Sequence, residues 1–138
     1  MKPPASDSAH LSNEGSKSTN KEVYDLDRAH VFHSWSAQGA ITPLPIAGGL
    51  GSYFWDFDGN RFLDFSSQLV FTNIGHQHPK VIAGIKKQAD LLATIAPQHA
   101  NETRSIAAQK IVAHAESHLN KVFFTNGGAD AVENAIRM

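Results

Sequence analysis

The segment Thr125-Asn-Gly-Gly-Ala-Asp-Ala-Val-Glu133 carries the strongest chemical signal in this sequence. A β-prone run ends, Gly127 and Gly128 let the backbone turn, and a helix-forming run begins. The unpaired N–H groups of a first helical turn converge on one spot beside the positive end of the helix dipole, and such a spot binds phosphate. Asp130 complements the same dipole, so part of the pattern is ordinary helix capping. Taken alone, strand–Gly–Gly–helix is equally the pattern of a tight structural turn.

The other constellations are weaker. His76-Gln-His78 has the look of a ligand pair, yet it precedes Pro79 and reads as a turn with one imidazole bonded to backbone. His114 and His118 are four apart on an expected helix, a spacing that suits zinc. The metalloprotease pattern needs Glu directly after the first His, and here Glu116 sits two places on, facing elsewhere. No metal site is expected. Asp56, Asp58 and Asp64 read as turn and edge residues, and Ser66 and Ser67 form no nucleophile elbow.

These residues need elements to hold them. Residues 1–22 are expected to be a disordered, solvated tail with only Met1, Ala5, Ala9 and Leu11 apolar. A helix is expected from Asp25, with Leu26, Ala29, Val31, Phe32 and Trp35 packing along one face. Residues 40–51, rich in Gly and Pro, read as an extended connector. Residues 52–57 and 61–65 form a β-hairpin about Asp58-Gly59-Asn60, because Gly supplies the positive φ of a tight turn. Pro79 opens a helix carrying Val81, Ile82, Ile85, Ala89 and Leu92, and Pro97 ends that region. Asn101 caps the next helix, whose apolar face is Ile106, Ala107, Ile111, Val112 and Ala115. Residues 121–125 read as a short buried strand, followed by a last helix over 129–138. Helix, strand, glycine turn and helix in that order point to an α/β fold with a parallel sheet. A lone parallel strand cannot satisfy its own edges, so the sequence reads as the front of a larger protein.

The bulk properties bound the function. The chain has 138 residues, 41% of them hydrophobic, which is enough for one core. Twelve basic side chains face 13 acidic ones, arguing against an electrostatic nucleic-acid binder. There is no cysteine, so no thiol nucleophile or disulfide can operate in this chain. No apolar run spans a bilayer and no signal-peptide h-region is present. A cytoplasmic protein without a membrane or nucleic-acid partner is expected.

Several of these segments occur together in one family. Gly51-Ser-Tyr-Phe-Trp-Asp-Phe-Asp-Gly-Asn-Arg-Phe-Leu-Asp-Phe-Ser66, Asn73-Ile-Gly-His-Gln-His-Pro79 and Lys121-Val-Phe-Phe-Thr-Asn-Gly-Gly-Ala-Asp-Ala-Val-Glu-Asn-Ala-Ile136 resemble, in order and spacing, the front of class III aminotransferases. His30-Val-Phe-His-Ser-Trp35 and Ser66-Ser-Gln-Leu-Val70 resemble the ω-amino-acid (taurine or β-alanine):pyruvate transaminases within that family. The resemblance implies fold type I, here an N-terminal β-hairpin segment plus the start of the large domain's mostly parallel sheet, truncated. The divisions are then a tail over 1–22, a helix and hairpin segment over 23–75, and the incomplete cofactor-binding large domain over 76–138.

The resemblance also implies pyridoxal 5′-phosphate as cofactor, its phosphate held at Gly127, Gly128 and Ala129. Many relatives have Ser-Gly-Ser there; this turn offers amides without hydroxyls. Gln68, Leu69, Val70 and Phe71 match a stretch lining the substrate pocket, with Val70 where an aromatic is common. Residues 97–101 match a loop near the partner subunit's site, since the full-length form is a homodimer or higher oligomer. The implied reaction moves an amino group from an ω-amino acid or amine to a keto acid such as pyruvate. The family's Schiff-base lysine lies beyond residue 138, and none of Lys80, Lys86, Lys87, Lys110 or Lys121 matches it. The chain alone is therefore expected to be inactive and to hold no catalytic residue. The alternative is a non-catalytic module that binds a phosphate ligand or pairs with another chain. A generic nucleotide-binding domain lacks its G-x-G-x-x-G or Gly-Lys-Ser/Thr turn.

Overall fold

The computed structural model describes residues 18–138; of the tail expected over 1–22, residues 1–17 lie outside them and residues 20–22 form the first turn of a helix. Two compact units divide between Lys87 and Gln88. The first contains α1 (Asn20–His30), β1 (Gly48–Leu50), β2 (Tyr53–Trp55) and β3 (Arg61–Leu63). Helix α2 (Pro79–Leu91) begins in the first unit and ends in the second, which also holds α3 (Glu102–Val112) and α4 (Gly128–Arg137).

Helix α1 starts earlier than its apolar spacing suggests, because Thr19 and Glu22 form a reciprocal capping box. The Thr19 hydroxyl accepts from the Glu22 N–H, and the Glu22 carboxylate accepts from the Thr19 N–H at 2.8 Å. The helix stops at Val31, which is extended. Phe32 and Trp35 therefore leave the helical face and do not pack as expected: both are exposed, Trp35 by 97% and with φ 57°. Polar bonds hold the following loop instead. Arg28 donates to the Gln38 carbonyl, and His33 bonds Asp27 at 2.7 Å.

The sheet is antiparallel in the order β1-β2-β3. The hairpin forms as its turn chemistry dictates, with Gly59 at φ 83° and Asp56 beneath the turn. One Asp56 oxygen accepts from the Asp58 and Asn60 amides, and the other from the Asn60 side chain at 2.8 Å. These bonds, led by the Asn60 side chain, hold the Asp56 carboxyl below its ordinary pKa although burial opposes them. The third strand, Gly48-Gly49-Leu50, arises in the expected connector. Its glycines give up β-propensity for closeness: a Cβ on Gly48 would lie 2.8 Å from the Trp55 ring, and one on Gly49 3.0 Å from His76. Phe54 stacks on Phe62 at 5.4 Å.

In the second unit, Asn101 caps α3 by accepting from the Arg104 N–H. Residues 121–125 are not in a ladder, so the expected strand is unpaired among the described residues. A strand is defined by its neighbour's hydrogen bonds, and no described segment supplies them. No hydrophobic side chain among the described residues is fully buried, and Phe123, Phe124, Val132 and Ile136 are exposed.

Candidate functional site

Helix α4 begins at Gly128 with Gly127 as its N-cap, in extended backbone (φ −170°, ψ 166°). The first intrahelical bond runs from the Ala131 N–H to the Gly127 carbonyl at 3.0 Å. The amides of Gly128, Ala129 and Asp130 precede it and have no intrahelical acceptor. A serine or aspartate cap would take one of them, but Gly127 makes no side-chain cap bond. A Cβ on either glycine would meet nothing within 4 Å, so the approach is open. The Thr125 hydroxyl donates to the Gly127 carbonyl at 3.1 Å and pins the turn from behind. The result is an exposed cluster of amide donors at a dipole's positive end. It fits a phosphate monoester by backbone alone, with Asp130 the acidic residue of the helix's first turn.

The second cluster centres on Asp64, only 9% exposed at the end of β3. One carboxylate oxygen accepts from the Gln68 N–H and the Ser66 hydroxyl, both at 3.3 Å. The other accepts from His76 Nε2 at 2.7 Å. Burial pushes the Asp64 carboxyl up, and the bonds from His76, Gln68 and Ser66 together outweigh it, leaving its pKa below the ordinary value. The turn expected at residues 73–79 is present, but the His76 ring bonds this carboxylate rather than backbone. Its backbone pairs in both directions with Gly51, at 2.8 and 3.0 Å.

Between these two residues lies a strained segment. Ser67, Gln68, Leu69 and Val70 have φ of 48°, 49°, 59° and 74°. The left-handed region costs roughly 1–2 kcal/mol per L-residue, so about 4–8 kcal/mol for the run. A β-branched residue there is a clear outlier. Such strain persists only where surrounding contacts over-determine it. Here Val70 N–H reaches the Ser66 carbonyl and Thr72 N–H the Ser67 carbonyl, both at 3.1 Å. Leu69, Val70 and Phe71 are left about three-quarters exposed.

The remaining candidates do not assemble. Among the described residues no group of three or more His, Asp or Glu is placed to hold a metal ion. Helix α3 ends at Val112, so His114 and His118 lie beyond it rather than on one helical face. The His114 ring donates to the Lys110 carbonyl at 2.9 Å, closing the last turn. The loop over 97–101 is held by Arg104, which donates to the Pro97 and His99 carbonyls. No described helix is long and apolar enough to cross a membrane. The sequence reading missed the Asp64–His76 pair. The only hint was that both residues flank a stretch without helical or strand periodicity.

The family model of the class III aminotransferases matches residues 35–138. The chain belongs to the class III aminotransferases. It is 34% identical over 96 residues to acetylornithine aminotransferase of Methanopyrus kandleri, covering 70% of this chain and 25% of that protein. It is 40% identical over 94 residues to the probable 4-aminobutyrate aminotransferase of Bacillus subtilis, covering 65% and 21%. Among solved structures it matches the taurine:2-oxoglutarate aminotransferase of Bifidobacterium kashiwanohense with a TM-score of 0.82 and 44% identity, over 88% of this chain and 27% of that one. That structure holds pyridoxal phosphate and glutamate. The class III enzymes are pyridoxal-phosphate dependent and of fold type I, and this chain has the fold of their N-terminal part. It spans about a quarter of the length of these relatives.

Proposed function

We propose that this chain is the phosphate-anchoring part of a transaminase that moves an amino group from an ω-amino acid or amine to a keto acid such as pyruvate. The carrying observation is the open, uncapped N-terminus of α4 in a chain of this family. In this reading the amides at Gly127, Gly128 and Ala129 hold the phosphate of pyridoxal phosphate. When bound, the cofactor supplies an electron sink for the carbon that carries the amino group. Gln68, Leu69, Val70 and Phe71 form the wall on the substrate side, its last three residues apolar. The ω-amino-acid assignment draws support from the taurine and 4-aminobutyrate enzymes among the relatives. The reading extends to a cytoplasmic homodimer or higher assembly with the amine and keto acid as small-molecule partners, as the resemblance implies.

The divisions at 1–22, 23–75 and 76–138 belong to the same proposal. So does the inactivity of the 138 residues alone, since no lysine here matches the family's Schiff-base position. The test is to assay amine loss with pyruvate and, separately, 2-oxoglutarate. The chain alone should give none; mixed with a separately expressed C-terminal portion of the enzyme it should give acceptor-dependent turnover. Turnover by the chain alone, or a borohydride-reducible adduct on one of its lysines, overturns the inactivity. The unpaired run at 121–125 and the exposed apolar side chains of α4 favour one alternative, a non-catalytic chain-pairing module. Association with the second portion without turnover would select it.

A further inference from the structure

We propose that Asp64 and His76 are positioning residues whose hydrogen bond clamps the left-handed segment over 67–70 and so sets the shape of the pocket wall that Leu69, Val70 and Phe71 present. The inference rests on reading residues 68–71 as that wall. His76 is fixed first. Its backbone pairs with Gly51, its ring lies edge-on to Phe54 at 6.3 Å, and Gly49 leaves it room to sit against β1. Asp64 is fixed second, by its amide on the Ser52 carbonyl at 2.9 Å and by the His76 ring on one oxygen. Its other oxygen then faces the start of the strained run and takes the Gln68 amide and the Ser66 hydroxyl.

A hydrogen bond to a buried carboxylate is directional, and this carboxylate has partners on both oxygens. The segment it holds has no other described side-chain tether at its start. Release would let residues 67–70 relax toward the right-handed or extended regions, which turns Leu69, Val70 and Phe71 to new directions. The bonds of the clamp all lie within residues 51–76, so the amino donor is expected to be affected and the phosphate held at residues 127–129 in the proposed reading is not.

The test compares Asp64→Ala and Asp64→Asn in the holoenzyme that contains this chain. Asp64→Ala should raise KM for the amino donor roughly tenfold or more, because pocket walls tolerate little misplacement. It should leave cofactor affinity within about threefold and speed amide exchange at Gln68, Val70 and Thr72 about tenfold or more, with Phe54 and Phe62 as protected as before. Asp64→Asn keeps an acceptor for Gln68 and should return KM to within about threefold of the parent. Unchanged exchange at those three amides overturns the clamp, as does parallel loss of protection across the sheet and of cofactor affinity. A parent holoenzyme without transaminase activity would instead refute the proposed function, while the exchange comparison would still decide the clamp.

Discussion

Gly128→Pro isolates a single amide of the phosphate turn. Gly128 is the first residue of α4, the position where proline is favoured, since its missing N–H has no intrahelical acceptor. The preceding residue must be extended before a proline, and Gly127 already is, at φ −170° and ψ 166°. A Cβ on Gly128 meets nothing within 4 Å, so the ring enters open space at its first carbon. The substitution therefore keeps the helix and deletes one donor. A hydrogen bond to a charged group contributes about 1.5–3 kcal/mol, so affinity for pyridoxal phosphate should fall roughly 10- to 150-fold. Gly128→Ala keeps the amide and should bind within about threefold of the parent, the difference a lost hydrogen bond would far exceed. Calorimetric titration of the apo-holoenzyme pair gives the dissociation constants, and melting curves confirm that the proline variant is folded. Equal cofactor affinity in a folded Gly128→Pro variant refutes the phosphate site at this turn.

Further outcomes follow from the same geometry. Asp130→Asn removes the one carboxylate in the first turn of α4 and should tighten phosphate binding about two- to fivefold at low salt, an effect that fades as salt rises. Gly48→Ala drives a methyl to within 2.8 Å of the Trp55 ring and should destabilise the sheet by about 1–3 kcal/mol, read as a lowered denaturation midpoint. Thr19→Ala removes the capping hydroxyl of α1 and should cost about 1 kcal/mol by the same measurement. The Asp64 carboxyl has a lowered pKa when folded, so its contribution is complete above the ordinary carboxylate value and disappears as pH falls through the lowered folded one. An acid titration of stability should therefore show less loss in Asp64→Asn than in the parent over that window.

Legibility in the sequence followed the range of the interactions. Pro79 and Asn101 announce helix starts because their effects act within one turn, and Gly59 announces the hairpin for the same reason. Gly127 and Gly128 were readable as a possible anion turn, and family motifs sharpened that reading. Strand β1 was not readable, because Gly48-Gly49 is poor strand material until Trp55 and His76 need the space above it. The start of α1 was hidden in a polar capping box rather than in apolar spacing, and its end at Val31 left Phe32 and Trp35 off the helix whose apolar spacing they continue. The Asp64–His76 bond joins residues 12 apart through a chain with no regular period, and only the folded sheet brings them together.

The two clusters solve different problems with different materials, and that difference bears on how such an enzyme could vary. In the proposed reading the donors at residues 127–129 are backbone amides, so side chains can change there without removing an amide hydrogen bond, provided the helix start survives. The Gly127-Gly128-Ala129 turn keeps those amides without any hydroxyl, and the Thr125 hydroxyl holds the turn through the Gly127 carbonyl. At residues 64–76 the control is side-chain to backbone: a fixed histidine holds a carboxylate, and the carboxylate holds a strained run from which Leu69 and Val70 face outward. Leu69, Val70 and Phe71 can be exchanged without touching the clamp, because none of their side chains is part of it. On the proposed function, anchoring is insulated from side-chain change by its use of amides, whereas the wall's shape is insulated from its composition by Asp64. That reading predicts that exchanges at residues 69–71 shift the amino-donor preference, read as a changed ratio of kcat/KM between donors, with cofactor affinity unchanged; a changed cofactor affinity refutes it.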